Sequence, residues 1–306
     1  MEYLKVSEIA QRWGISSRRV RQLCADGRIS GIIRQGKLYF IPAGASQPAD
    51  ARVHTKKLRL PLLDEVDQLR RRLAEMRPLS PAEVAALREE FVVENTYNSN
   101  AIEGNTLTMR ETALVLQGIT IDRKPLKDHL EAVGYKEAYE YVEQMVEEHR
   151  PQTAYEIRAI HSLVLAGHRE DRGHWRRVPV RIVGASTLPA QPYQIEPMIE
   201  SLLNDYATTY RNLHIVERVA LFHLRFEGIH PFIDGNGRTG RLMMNLQLMQ
   251  EGLPPINVKY ADRSRYYDAF EDYASGGSAE RMTTLVAEYL KERMQNMIDI
   301  LEPLQS

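Results

Sequence analysis

One stretch of this chain, His230 to Arg241, constrains it more than any other: it reads HPFIDGNGRTGR. It stands just ahead of Leu242, Leu246 and Met249, whose spacing predicts a helix. Gly235, Asn236 and Gly237 therefore fall at a helix start, where glycine accepts positive φ and lets backbone N–H groups converge. Such a start binds phosphate. Arg238 and Arg241 lie three apart on one face of the first turn, and guanidinium forks suit phosphate oxygens better than ammonium groups do. Asp234 offers an oxygen ligand of the kind Mg²⁺ accepts when phosphates supply the others. His230 is the group here that can exchange a proton near neutral pH. Each feature alone is commonplace, but their crowding points to phosphoryl or nucleotidyl chemistry on a di- or triphosphate.

At 306 residues the chain is long enough for two domains and a large core. Its net charge of −1 is unevenly spread, because residues 1–42 carry eight basic and three acidic side chains, a net +5, which leaves −6 for the remainder. A basic module on an acidic body suggests different partners for each. The single cysteine, Cys24, fits a reducing compartment. No apolar run resembles a signal peptide or a membrane span, so a soluble, cytoplasmic protein without membrane attachment is expected.

In the basic module, Ser7 is expected to cap a short helix with Ile9, Ala10 and Trp13 inward, ended by Gly14. Ser16 or Ser17 caps a second helix running to Asp26, with Val20, Leu23 and Cys24 inward and Arg18, Arg19 and Arg21 outward, as on a recognition helix. Residues 29–33 and 37–41 read as two strands of a wing around Gln35-Gly36. Gly31 through Lys37 imitates a P-loop, but Leu38 stands where a Ser or Thr would hold Mg²⁺, and a strand follows. Residues 43–51 read as a linker, and residues 62–76 as a helix that packs on the body or else helps a homodimer form.

The body opens at Ser80-Pro81-Ala82-Glu83, a capping box with proline at N1, on a helix running to about Glu103. Thr108 through Glu111 is a second capping box. Helices follow over 127–149, 153–166 and 215–229, with His161 read as a satisfied core histidine. Val178, Val180 and Ile182 alternate strictly and are expected to form a β-hairpin ending at Gly184.

The stretch at 230–241 resembles the signature of the Fic family, His-x-Phe-x-(Asp/Glu)-Gly-Asn-Gly-Arg-x-x-Arg, with every specified position filled. The resemblance implies a mainly α, Fic-type helical bundle with a small β-hairpin flap. It implies transfer of AMP from ATP to a Ser, Thr or Tyr hydroxyl of a target protein, with His230 as general base. Asp234 would hold Mg²⁺, the amides of Gly235 and Gly237 with Asn236 the α-phosphate, Arg238 the β-phosphate and Arg241 the γ-phosphate; Phe232 would anchor the loop. Ser99 through Gly104 resembles the family's inhibitory motif, (Ser/Thr)-x-x-x-Glu-(Gly/Asn), in which Ser99 and Glu103 would withhold Arg241 from the nucleotide. Tyr266 and Tyr267 fall in a segment resembling the one that lines the family's nucleotide pocket, and Val178 to Gly184 resembles the flap on which a target docks. Residues 1–42 resemble the winged helix-turn-helix of excisionase and MerR-type proteins, through Asp26-Gly27-Arg28-Ile29, Arg34, Gly36, Ile41 and Pro42. Duplex DNA is thus an expected partner of Arg18, Arg19 and Arg21. The expected organisation is a winged helix-turn-helix domain over 1–45, a linker and connecting helix over 46–79, and a catalytic domain with its inhibitory helix over 80–306. The alternatives left open are removal of AMP, another phosphate-group transfer on the same fold, and a transcription regulator that senses nucleotide. Intact Gly237 and both arginines favour AMP addition, and a base at His230 argues against mere sensing.

Overall fold

The structure is a computed structural model that describes residues 3–13, 16–25, 27–36, 38–45, 60–167, 170–182 and 188–302, apart from the side chains of Arg19 and Gln35. The N-terminal module begins with a strand, β1 (Tyr3–Lys5), followed by α1 (Val6–Trp13), α2 (Ser17–Ala25), β2 (Ile33–Gln35) and β3 (Leu38–Pro42). Its antiparallel sheet runs in the order β1-β3-β2, with Leu4 opposite Ile41 and Arg34 opposite Tyr39. Val6, Ile9, Ala10, Val20, Leu23, Cys24, Ile29 and Ile41 form a core of their own. The expected Ser7 cap is corrected, because the chain enters α1 directly from β1 and the Glu8 carboxylate accepts the Lys5 N–H at 2.6 Å. Ile29 enters the core from a loop, so the first wing strand is shorter than its apolar run suggested. Gly14, Asp26 and Lys37, which figure in the expected helix ends and wing, lie outside the described residues.

The body is helical: α3 (Pro61–Glu75), α4 (Pro81–Ile102), α5 (Met109–Leu116), α6 (Leu126–Glu147), α7 (Ala154–Val164), α8 (Pro192–Ala207), α9 (Ile215–Ile229), α10 (Asn236–Gln250), α11 (Arg263–Ala274) and α12 (Glu280–Leu301). Both capping boxes form. Ser80 Oγ accepts the Glu83 N–H while the Glu83 carboxylate accepts the Ser80 N–H, and Thr108 and Glu111 repeat the exchange. The α9 and α10 helices run through the middle, so apolar residues appear on nearly all their faces; Val219, Ala220, Phe222, Phe226, Leu242, Met243 and Leu246 are each fully buried. The α3 helix packs on α12, and Leu63 and Val66 join the main core, the first of the two arrangements expected for residues 62–76. The N-terminal module leans on α8, where Gln194 and Met198 stand against Gly27.

The expected flap hairpin departs from the structure. Residues 174–182 contain no strand despite the alternation of Val178, Val180 and Ile182. Alternation gives a strand only when a neighbouring strand takes its peptide groups. Here the Arg176 N–H donates to the Pro231 carbonyl at 2.9 Å and the Arg176 guanidinium takes the Val178 carbonyl at 2.9 Å. Gly184, the expected end of the hairpin, lies outside the described residues.

Candidate active site

The loop between α9 and α10 is held by packing before any chemistry is considered. Phe232 is fully buried, stacked on the His161 ring at 3.5 Å with 3° between planes, and covered by Trp175 at 4.9 Å. His161 is indeed in the core, yet one of its nitrogens serves this loop and the other the segment at Gly173. Its Nδ1 accepts the Gly173 N–H at 3.0 Å, which leaves Nε2 to donate to the Asp234 carbonyl at 2.9 Å. Burial, more than any neighbour, pushes its pKa down to about 4. The Asn236 amide bridges the same loop, accepting from the Phe232 N–H at 2.9 Å and donating to the Phe232 carbonyl at 3.0 Å. The Asn236 side chain thus braces the loop through Oδ1 and one N–H, and the second N–H of its amide is not taken by these two bonds. Gly235 turns the chain into α10 at φ +77°, where a side chain would be strained.

His230 caps the C-terminus of α9 in the left-handed region, φ 50° and ψ 62°. Its ring is largely buried, with Nδ1 3.8 Å from Glu227 Oε2 and without a hydrogen-bond partner among the described residues. Burial lowers its pKa to about 4, helped by the Arg176 charge and opposed by Glu103 and Asp234. It is therefore neutral at physiological pH and able to accept a proton. Glu227 takes the opposite course, since burial and the nearby Glu103 charge push its carboxyl up to about 8. Its Oε1 has no hydrogen-bond partner among the described residues.

The two signature arginines are almost sealed from solvent, Arg238 at 1% and Arg241 at 3% exposure. Arg238 lies between Glu131 of α6, at 3.0 Å, and Asp234, at 3.2 Å, while the Asp234 carboxylate also accepts the Gly235 N–H at 2.6 Å. Arg241 reaches α4: its Nε donates to Ser99 Oγ at 2.8 Å, and its Nη2 donates to the Ser99 carbonyl at 2.8 Å and to Glu103 Oε1 at 2.7 Å. Glu103 Oε1 sits so close over Gly237 that a side chain there would collide with it. The two tyrosines separate. Tyr266 is buried behind Arg241, with its hydroxyl 2.6 Å from His223 Nε2 and 3.3 Å from Arg241 Nη1, which departs from the expected pocket-lining ring. Tyr267 is 46% exposed and donates to the Ile102 carbonyl at 3.2 Å.

Glu131, Glu227 and Arg176 went unread in the sequence as members of this site. Glu227 lies just three residues before His230, a spacing that puts both on one helix face and could have drawn it in. Glu131 and Arg176 carry no such local signal.

Residues 151–248 match the family model described as the Fic/DOC family. The chain is 34% identical over 218 residues to a protein adenylyltransferase Fic of Nematostella vectensis, covering 70% of this chain and 50% of that protein. A protein adenylyltransferase Fic of Drosophila grimshawi is 34% identical over 211 residues, 67% of this chain and 43% of that one. The chain thus spans about half the length, or less, of these curated relatives. Among solved structures, Fic-1 from C. elegans superposes with a TM-score of 0.71 at 26% identity, covering 79% of this chain and 72% of that one. A Fic domain-containing signaling protein from Bacteroides thetaiotaomicron gives 0.69 at 28% identity, covering 76% and 94%. The helical body, its signature loop and these relatives make the chain a member of the Fic/DOC family.

Proposed function

We propose that this chain transfers AMP from ATP to a hydroxyl of a target protein and holds itself in check through Glu103. The observation that carries the reading is the Glu103 carboxylate lying over Gly237 on the Arg241 guanidinium. Its oxygen stands in for a phosphate oxygen: it is an anion at a glycine-turned helix N-terminus, paired with a buried arginine. The relatives named protein adenylyltransferase support the same reaction.

In this reading, His230 accepts the proton of the target Ser, Thr or Tyr hydroxyl as that oxygen bonds to the α-phosphorus. The bond from the α-phosphorus to the bridging oxygen breaks, and pyrophosphate leaves. The amides of Gly235, Asn236 and Gly237, with Arg238 and Arg241, face the charge that builds on the phosphates. Asp234 fits Mg²⁺, because its carboxylate is 46% exposed and hard-oxygen in type, and no cluster of three acidic, His or Cys ligands exists among the described residues to make a closed protein cage. Bound with the nucleotide, Mg²⁺ would neutralise phosphate charge. Tyr267 is the better of the two tyrosines for a nucleotide wall, since Tyr266 is sealed behind Arg241.

Duplex DNA is the second partner proposed. Arg18 and Arg21 are exposed on α2, and the module carries a net +5; the Arg19 side chain lies outside the described residues. Reading paired half-sites would take two copies of the chain. No described helix is long and apolar enough to cross a membrane, and the lone buried Cys24 fits the reducing cytoplasm.

Incubation with ATP labelled at the α- or the γ-phosphate, in the presence of cell lysate, tests the reaction. Label on protein from the α-position alone is expected, and His230→Ala should cut it by about 10² to 10⁴ while ATP binding persists. Label from the γ-position alone would replace AMP transfer with phosphate transfer.

A further inference from the structure

Arg176 is a buried cation whose partners among the described residues are carbonyl oxygens. It is 3% exposed, and burying a charge is unfavourable unless hydrogen bonds compensate it. Its Nε donates to the His230 carbonyl at 2.7 Å, its Nη1 to the Val178 carbonyl at 2.9 Å, and its Nη2 to the carbonyls of Ala190 and, at 3.4 Å, Ile229. Its own N–H donates to the Pro231 carbonyl at 2.9 Å.

These partners fall into two groups. Ile229 and His230 supply the last carbonyls of α9, the negative end of that helix, where a cation is favoured. His230 is held there in a left-handed conformation that non-glycine residues seldom adopt, so something must over-determine it. Val178 and Ala190 belong to the chain that leads out from Arg176 and back into α8, the part resembling the family's target-docking flap. Val178 is 52% exposed and Leu188 68%, which leaves apolar side chains available there for a partner.

We propose that Arg176 is a positioning residue that joins the target-docking segment to the backbone of His230, so that the incoming hydroxyl and its base are registered against one guanidinium. This rests on the AMP-transfer reading. A planar fork with separated nitrogens can span carbonyls from two chain segments at once, whereas a lysine ammonium gathers its donors at one point. The arrangement also explains the missing strand, since the carbonyl of Val178 that a ladder would use is taken by the guanidinium.

Arg176→Lys and Arg176→Gln, each in the full chain, separate tether from charge. Hydrogen exchange needs no activity and reads the tether. Both variants should exchange faster together in residues 176–182, 188–190 and 229–232, with circular dichroism unchanged. The His230 ring faces the Arg176 charge, the Glu227 carboxyl and carbonyl, Glu103 and Asp234. Its NMR titration should therefore move up in Arg176→Gln and stay in Arg176→Lys, which a purely structural role would not produce. Label transfer from α-labelled ATP in the Glu103→Gly background should fall about 10²-fold in both variants, the loss expected from misplacement by about 1 Å, with ATP binding kept. Unchanged exchange at 229–232 with transfer by Arg176→Lys equal to that of Glu103→Gly alone would overturn the inference. If Glu103→Gly itself transfers no label, the AMP reading fails, and the exchange and titration arms still decide whether Arg176 joins the two segments.

Discussion

The arginines of α10 and those of α2 are the same residue used under opposite conditions. Arg238 and Arg241 are sealed among Glu131, Asp234, Ser99 and Glu103. Arg18 and Arg21 stand in solvent on the recognition-like helix. A buried guanidinium acts through geometry, because desolvation makes every missing partner costly. An exposed one acts through its field, which salt screens within about 10 Å. The difference separates a site built to bind one anion in one pose from a surface suited to a repeating polyanion.

The largest consequence falls on the buried side. Glu131→Ala removes a carboxylate from a 1%-exposed arginine and should destabilise the body by about 3 to 5 kcal/mol in urea or thermal unfolding. A loss below about 1 kcal/mol would mean that Arg238 is as loosely held as its counterparts on α2.

Acid sharpens the contrast next. His161 and His230 are lowered to about 4 and His223 to about 3, chiefly by burial, so all three are neutral in the fold. The unfolded chain protonates them near the ordinary 6.5, so their contribution to stability is complete above pH 6.5 and is lost as pH falls toward 4. Each unit of depression corresponds to about 1.4 kcal/mol. Glu227 acts in the other direction: its contribution is present below its ordinary 4.5 and lost as pH rises through about 8. Thermal melts should therefore show the body weakening steeply between pH 6.5 and 4, whereas residues 3–45, which contain no histidine, lack this source of acid sensitivity. A flat profile over that range would remove the burial argument.

The smallest effect on stability belongs to the exposed pair. Arg18→Ala with Arg21→Ala should leave unfolding within about 0.5 kcal/mol of wild type, yet lower the slope of DNA affinity against salt by about 2 if both meet phosphates. An unchanged slope and affinity would discard DNA as the partner of this face.

How much of this could be read beforehand follows from sequence distance. His230 through Arg241 was legible because the glycine turn, the arginines and the following apolar period are contiguous, and the Ser99 and Glu103 spacing placed a carboxylate on the same helix as its serine. Arg176 was illegible as a joint because its partners are backbone carbonyls, which any sequence supplies. Glu131 was equally so, since nothing local marks a glutamate on α6 as the partner of an arginine on α10. The alternation at Val178, Val180 and Ile182 misled because period-two patterning reports exposure on two faces and cannot report whether a neighbouring strand exists. Tyr266 misled for a related reason: an aromatic residue near a site can pack behind it, and here its hydroxyl serves His223 and Arg241.

The central claim is that Glu103 occupies the place of a phosphate on Arg241. The direct measurement is self-labelling by α-labelled ATP with Mg²⁺, comparing wild type, Glu103→Gly, and Glu103→Gly combined with Arg241→Ala. A charge-assisted pair of this kind is worth about 1.5 to 3 kcal/mol, so freeing Arg241 should raise labelling roughly ten- to a hundredfold, and removing Arg241 as well should return it to the wild-type level. Equal labelling by wild type and Glu103→Gly would contradict the account and leave Glu103 a residue at the end of a helix.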